Sequence, residues 1–305
     1  MSDEPPARGL SRALARVPAP ALFATSGIAQ YSGAALAVGL FALMPPHTVA
    51  WARALVSAVI LLVLIRPWRT PWTRATLRQT GLFGVVLVVM NMLFYIAIHY
   101  LPLGAVVAIE FAGPALVAAW GSRSARGRVA VALAAAGVAA ISLVGLRWDE
   151  AGVGGTAPMV LGLLCAVAAG ATWAWYMVLA GRIAAVRDGQ ASLAVGTSIA
   201  VVLLAPLAAP WAGPLLTSGG SIWLAVLGVG VLSSVIPYIL DQVAIVRLGT
   251  ATFALLNALL PATATVVGLL ALQQQPTIGE IAGLLAISVA VALAPRRRAL
   301  GPDGA

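Results

Sequence analysis

The chain has 305 residues, of which 61% are hydrophobic and only 9% charged, with a mean hydropathy of +1.01. A chain this apolar cannot hide its surface from water, so a soluble domain is excluded and a bilayer is its solvent. The net charge of +9 comes from arginines in short clusters between apolar runs, a pattern of membrane topology rather than of a nucleic-acid groove.

The N-terminal stretch MSDEPPARGLSRALARVPAP is polar and proline-rich and carries Arg8, Arg12 and Arg16. Residues 1–19 read as a disordered tail, since the apolar run behind them is too long for a signal-peptide core. Segments of about the 20 residues needed to cross the hydrocarbon then recur ten times. They fall near 20–44, 48–65, 81–99, 103–121, 128–146, 158–180, 191–210, 221–240, 250–272 and 278–294. MPPHT, RPWRTPWTR, SRSARGR, RWDEAGVGG, GRIAAVRDG and QQQPT mark breaks with turn and charge signals.

Arginine placement gives the direction. With the N-terminus inside, one face receives the tail arginines, Arg66, Arg69, Arg74, Arg78, Arg123, Arg126, Arg128, Arg182, Arg187, Arg247 and Arg296 to Arg298. The other face receives only Arg147, beside Asp149 and Glu150. By the positive-inside rule both termini are cytoplasmic. Trp51, Trp68, Trp72, Trp120, Trp148, Trp211 and Trp223 fall at span ends, where an indole suits the interface, whereas Trp173 and Trp175 lie within the sixth span.

The two halves resemble each other. Adding 147 to Ala97, Ile98, Leu101, Pro114 and Gly121 reaches Ala244, Ile245, Leu248, Pro261 and Gly268, and AIS at 140–142 returns at 286–288. The expected organisation is an all-α integral membrane protein of ten transmembrane helices in two five-helix repeats, 20–146 and 158–294. A periplasmic loop at 147–157 joins them, and a basic cytoplasmic tail at 295–305 follows. An odd number of spans per repeat inverts the second copy, the arrangement of secondary transporters.

Proline leaves unpaired the carbonyl four residues earlier. For Pro114 that residue is Glu110, and for Pro261 it is Asn257, so each half is expected to place a helix break and a polar side chain at one level. That level is ~12 Å from the entry face. Backbone can break there only where protein or a wet cavity satisfies it. Glu110 either pairs with Arg53 and fixes packing, or lines a cavity, binding a substrate ammonium or taking up a proton. Asn91, Tyr95 and His99 recur at i, i+4 and i+8 and form one polar stripe that should face the bundle interior. Gln30, Tyr31 and Ser32 interrupt the first span, Trp173 and Tyr176 share a face of the sixth, and Tyr238 and Asp241 close the eighth beside Pro237, with Asp241 expected to pair with Arg247.

Other chemistries lack their motifs. There is no P-loop, and no Ser-His-Asp set at one depth. Cys165 has no disulfide partner, and with only His47 and His99 no metal or other cofactor is expected. The chain reads as no enzyme.

NMLFYIAIHYLPLGAVVAIEFAGP at 91–114, together with ARALVSAVILLVLIRPWR at 52–69, strongly resembles the ten-span exporters of the drug/metabolite transporter superfamily, EamA type. Within that family the pattern is closest to the RhtA-like threonine/homoserine exporter group. Arg53, Asn91, Tyr95, Glu110 and Pro114 match the group's positions. There is no basic residue near Val38, and Gln273 and Gln274 stand where relatives end span nine with Gly-Glu. The resemblance implies a bacterial inner-membrane permease that exports small amphipathic metabolites such as amino acids, driven by the proton gradient. Its cavity lies between the repeats and opens alternately to each side.

On this reading an amino acid meets Glu110, Asn257, Asn91 and Tyr95, with Arg53 available for a carboxylate, Gln30 nearby and Trp173 or Tyr176 as an apolar wall. Two alternatives stand beside it: a permease for a drug, nucleobase or sugar derivative, working with or without coupling, and a membrane scaffold that transports nothing. Beyond the small-molecule substrate, protons and lipid, no nucleic-acid partner is expected; monomer and homodimer both stay open.

Overall fold

The computed structural model describes residues 17–119, 124–147, 156–184, 186–217 and 219–293. Most of the expected N-terminal tail, most of the 147–157 loop and all of the basic C-terminal tail lie outside these residues, as do Arg123, Trp120 and Trp148.

The described residues are helical throughout. In chain order the helices are α1 (Ala19–Leu40), α2 (Pro46–Ile65), α3 (Arg74–Tyr100), α4 (Leu103–Ala119), α5 (Ala125–Ala139), α6 (Ala157–Ala184), α7 (Gly189–Ala208), α8 (Gly220–Gly230), α9 (Ile236–Leu256), α10 (Leu260–Leu272) and α11 (Ile278–Leu293). A π-helical turn, Ala140–Gly145, continues α5, and another, Val231–Val235, joins α8 to α9. Seven helical stretches are long and apolar enough to cross a membrane, and three more apolar ones are shorter: Leu103–Gly113, Asn257–Leu272 and Ile278–Leu293.

Local sequence sets the helix starts. Pro46 opens α2 at a position whose N–H needs no helical partner. Thr73 and Thr76 bond reciprocally at the start of α3, Ser124 caps α5 and Asp188 caps α7. Helix α3 begins well before the apolar run at 81, because Arg74 and Arg78 are good helix formers that continue it beyond the hydrocarbon. The largest departure from the expected spans lies at 241–249, where the sequence indicates a loop. That stretch belongs to the helix Ile236–Leu256. It holds no proline and only one glycine, Gly249, so nothing local stops the helix. Arg247 there donates to the Val17 carbonyl at 2.6 Å, tying the stretch to the start of α1.

Packing is inside-out relative to a soluble protein. Large apolar side chains such as Leu143, Val202, Leu216 and Leu270 are exposed, while alanine and glycine crowd the contacts between helices. Trp175 is exposed, and Trp173 is half-buried with its ring edge-on to Phe111 at 4.4 Å. Helix α3 packs on α6 and α7, α4 on α6, α1 on α9 and α10, α2 on α7, and α5 on α11. Three crossings are tight enough to require glycine. A Cβ at Gly84 would fall on the Gly196 carbonyl, one at Gly113 on the Gly170 carbonyl, and one at Gly137 would lie 2.7 Å from the Gly283 carbonyl.

One polar junction ties α5 to α11. Thr277 Oγ1 accepts from the Glu280 amide at 3.1 Å and donates to the Gly145 carbonyl at 2.8 Å, while Glu280 Oε2 accepts from the Thr277 amide at 3.1 Å. This is a capping box whose hydroxyl also reaches the neighbouring helix. Nearby, Gln274 Oε1 accepts from the Leu103 amide at 2.9 Å and so caps α4 from another segment. Thr277→Val removes both hydroxyl bonds and is expected to cost about 1–2 kcal/mol. Thermal unfolding in mild detergent reads this as a lowered midpoint; an unchanged midpoint would show the junction to be idle.

Candidate functional site

A partly open cavity of about 170 Å³ is lined by α2, α3, α6, α7, the π-turn between α8 and α9 and the first turn of α9. Its wall is part apolar (Ala50, Leu61, Val88) and part hydroxylated (Ser57, Thr197, Tyr176), and Arg53 is its one charged lining residue.

The π-turn makes the seat for Arg53. Pro237 has no N–H, so the Ser233 carbonyl four residues earlier loses its helical partner. The turn winds wider around that gap, as π-turns at functional sites do. Arg53 Nη2 donates to the freed Ser233 carbonyl at 3.1 Å and Nε donates to Ser234 Oγ at 3.2 Å. Nη1 donates to Asn91 Oδ1 at 2.8 Å. Asn91 is held in that orientation because its Nδ2 donates to the Leu87 carbonyl of its own helix at 2.7 Å. The Tyr95 ring lies under the guanidinium, 5.6 Å from centroid to Cζ.

Two members of the polar stripe on α3, Asn91 and Tyr95, thus converge on Arg53. His99, the third, is exposed beside Phe41 and Tyr100. Tyr176 lines the cavity with its ring stacked on Phe83 at 4.8 Å. Thr197 Oγ1, Ser233 Oγ and Tyr238 Oη, all on cavity-lining residues, are buried without a hydrogen-bond partner.

Glu110 lies elsewhere. It is 9% exposed, it does not line this cavity, and the hydrogen bonds of Arg53 go to Asn91, Ser233 and Ser234 rather than to it. The charged group whose field reaches it is Arg53, and its own charge and that of Asp241 reach the buried Tyr31. The carbonyl that Pro114 frees meets Gly170: a Cβ there would stand 2.8 Å from the Glu110 oxygen. Helix α4 continues through Pro114, where the sequence alone indicates a break, and it is in close contact with α6 at Glu110 and Gly113.

The second proline does accompany a break. Asn257–Leu259 is a 3₁₀ turn, and Pro261 sits in the first turn of α10. Asn257, Gln30 and Trp173 are half-buried and do not line the cavity. Asp241 keeps Oδ1 buried without a partner, and Ser26 hydrogen-bonds its carboxylate.

Ser57, Thr197, Ser233 and Ser234 join the site without standing out in the sequence, and Tyr238, which marks the end of the eighth span beside Pro237, joins them. The proline rule applied to Pro114 and Pro261 finds Ser233 when it is applied to Pro237. For Thr197, one of three hydroxyl residues with Ser192 and Ser198 in an apolar helix, no sequence signal exists.

Residues 160–294 match the EamA-like transporter family. The chain is 36% identical over 259 residues to the threonine/homoserine exporter RhtA of Salmonella typhimurium strain LT2, covering 85% of each chain. It is 37% identical over 258 residues to the protein of the same name from Escherichia coli strain K12, covering 85% of this chain and 84% of that one. A solved crystal structure superposes with a TM-score of 0.55 at 23% identity, covering 90% of this chain and 96% of the other, which shows a shared fold. Exporters of this kind reside in the bacterial inner membrane, and the chain is a multi-pass protein of that membrane. With the family match over its second half and exporters aligned along most of its length, the chain belongs to the EamA-like transporter family of the drug/metabolite transporter superfamily, and it is a transporter rather than an enzyme.

Proposed function

We propose that the chain exports small amino acids of the threonine/homoserine type by alternating access, exchanging them for protons through Glu110. The observation that carries this reading is the cavity at the seam between the two halves, with α2 and α3 on one side and α6, α7, the π-turn and the start of α9 on the other. At about 170 Å³ it falls below the ~300–1,000 Å³ of drug-sized sites, which favours a small metabolite over a drug. The names of the relatives supply the amino-acid class.

Two inverted repeats support alternating access, and the helix pairing is consistent with such a two-fold arrangement. The contact of α3 with α6 is matched by that of α8 and α9 with α1, α4 with α6 by α10 with α1, and α3 with α7 by α8 with α2. The contact of α5 with α11 is its own counterpart: Gly137 meets Ile287 and Gly283 meets Ile141, and a shift of 146 carries Gly137 to Gly283 and Ile141 to Ile287. Reciprocal contacts of that kind are what a two-fold axis produces. The seven long and three shorter apolar helical stretches accommodate ten spans. The arginine distribution then places both termini in the cytoplasm.

Glu110, buried and off the cavity wall, suits a proton better than a substrate ammonium. Purified protein in proteoliposomes with an imposed pH gradient tests the whole reading. Gradient-dependent exchange of threonine and homoserine is expected. Gradient-insensitive exchange would remove the coupling, and no exchange of either amino acid would remove the exporter.

A further inference from the structure

The cavity has an asymmetry of charge that bears on which part of a substrate it recognises. A guanidinium carries five N–H donors and cannot shed its proton in a protein. Arg53 spends three of its donors on Asn91 Oδ1, Ser234 Oγ and the Ser233 carbonyl. All three acceptors are neutral, and two N–H groups remain. Among the described residues no acid lines the cavity, so the positive charge faces no acid across it; the acid whose field reaches Arg53 is Glu110, buried off the cavity wall. An ion held this way, out of bulk water, gains most from an anion that can replace neutral acceptors with charge-assisted bonds. A carboxylate fits the fork of a guanidinium, and the Tyr95 face and Asn91 already fix its orientation.

The rest of the wall treats an amine differently. Beyond Arg53, the polar side chains of the lining are Asn91, hydroxyls (Ser57, Thr197, Ser233, Ser234) and two phenols, Tyr176 and Tyr238. A hydroxyl both donates and accepts, so it serves a ligand hydroxyl as well as an amine. None of them offsets the desolvation of an ammonium.

We propose that the cavity recognises its ligand by the carboxylate, through Arg53, and that the amino group is dispensable. Its substrate class is therefore small hydroxylated carboxylates, of which the hydroxy amino acids are one subset. This rests on the exporter reading for the place where cargo binds. The cavity of about 170 Å³ has room for a small acid of this class.

Three ligands of one size separate the groups: threonine, 3-hydroxybutanoate, which lacks the amine, and threoninol, which lacks the carboxylate. Binding to the purified full chain is read by thermal shift at constant ionic strength, with chloride as the anion control, and transport by efflux from proteoliposomes. Threonine and 3-hydroxybutanoate are expected to bind within about tenfold of each other, and threoninol at least about a hundredfold more weakly. Arg53→Lys, which keeps the charge and loses the fork, is expected to weaken both carboxylates about tenfold or more, and Arg53→Gln to remove their binding. Threoninol binding as well as threonine, or 3-hydroxybutanoate failing where threonine binds, overturns the proposal and leaves the exporter reading intact. Arg53-dependent binding of both carboxylates without efflux of threonine or homoserine overturns the exporter reading and leaves the proposal intact. Should Arg53→Gln fail to fold, the three ligands on the unmodified chain decide.

Discussion

Replacing Glu110 with Gln is expected to abolish pH-driven accumulation of substrate while leaving the protein folded. With one proton exchanged per substrate, a gradient of one pH unit supports about a tenfold accumulation at equilibrium. The variant, with no group at 110 to carry the proton, should bring that ratio to about one. Gln has nearly the shape of Glu, so the packing of α4 on α6 is preserved, and a neutral side chain removes an intramembrane acid that costs on the order of 3 kcal/mol to insert. The melting temperature should therefore hold or rise. The alternative role, an acid that pairs with Arg53 for packing, predicts the opposite pattern of lowered stability with accumulation retained. Arg53 already has three neutral partners, which is why the packing role is the weaker account. Accumulation in the variant equal to that of the parent chain would sink the coupling.

How much of this is legible in the sequence depends on whether local chemistry or tertiary contact decides the outcome. The apolar runs locate most spans to within a few residues: α6 starts at Ala157 and α11 at Ile278, against expected starts of 158 and 278. The stretch 241–249 reads wrongly as a loop because its polar residues resemble one, although nothing in it ends a helix. The stripe of Asn91 and Tyr95 is readable from a period of four, and both reach Arg53. What spacing does not supply is which partners Arg53 takes. Glu110 is the obvious one by charge, but the carbonyl freed by Pro237 and the adjacent Ser234 lie in the other half of the chain, and only folding brings them to α2. The proline rule is sound as chemistry and incomplete as geometry. It identifies the carbonyls of Glu110 and Asn257, yet Gly170 packs against the first of them and the Leu260 amide donates to the second.

The α4–α6 crossing yields the largest expected effect on stability. Gly113→Ala would normally strengthen a helix by about 1 kcal/mol, since alanine is the better helix former. Here its Cβ would fall on the Gly170 carbonyl, which is backbone and cannot rotate away. The two helices would have to part, carrying with them the Phe111–Trp173 contact and the backbone of Glu110 against Gly170. A loss of several kcal/mol is expected, beyond the ~1–3 kcal/mol of ordinary overpacking, and the variant should not yield a folded, monodisperse protein. Two other glycines make the controls. A methyl group added at Gly181 would have nothing within 4 Å of it, so Gly181→Ala should be neutral or slightly stabilising. Gly27, at the corresponding α1–α10 crossing, would meet Leu260 Cδ2 at 2.8 Å, the far end of a flexible side chain, so Gly27→Ala should cost little once that leucine turns. Size-exclusion profiles and melting curves of the three variants should therefore rank Gly113→Ala far below the others. Equal behaviour would mean that the seam between the halves is loose enough to take a methyl group, and a seam that loose could not hold Arg53, Asn91 and the π-turn in register.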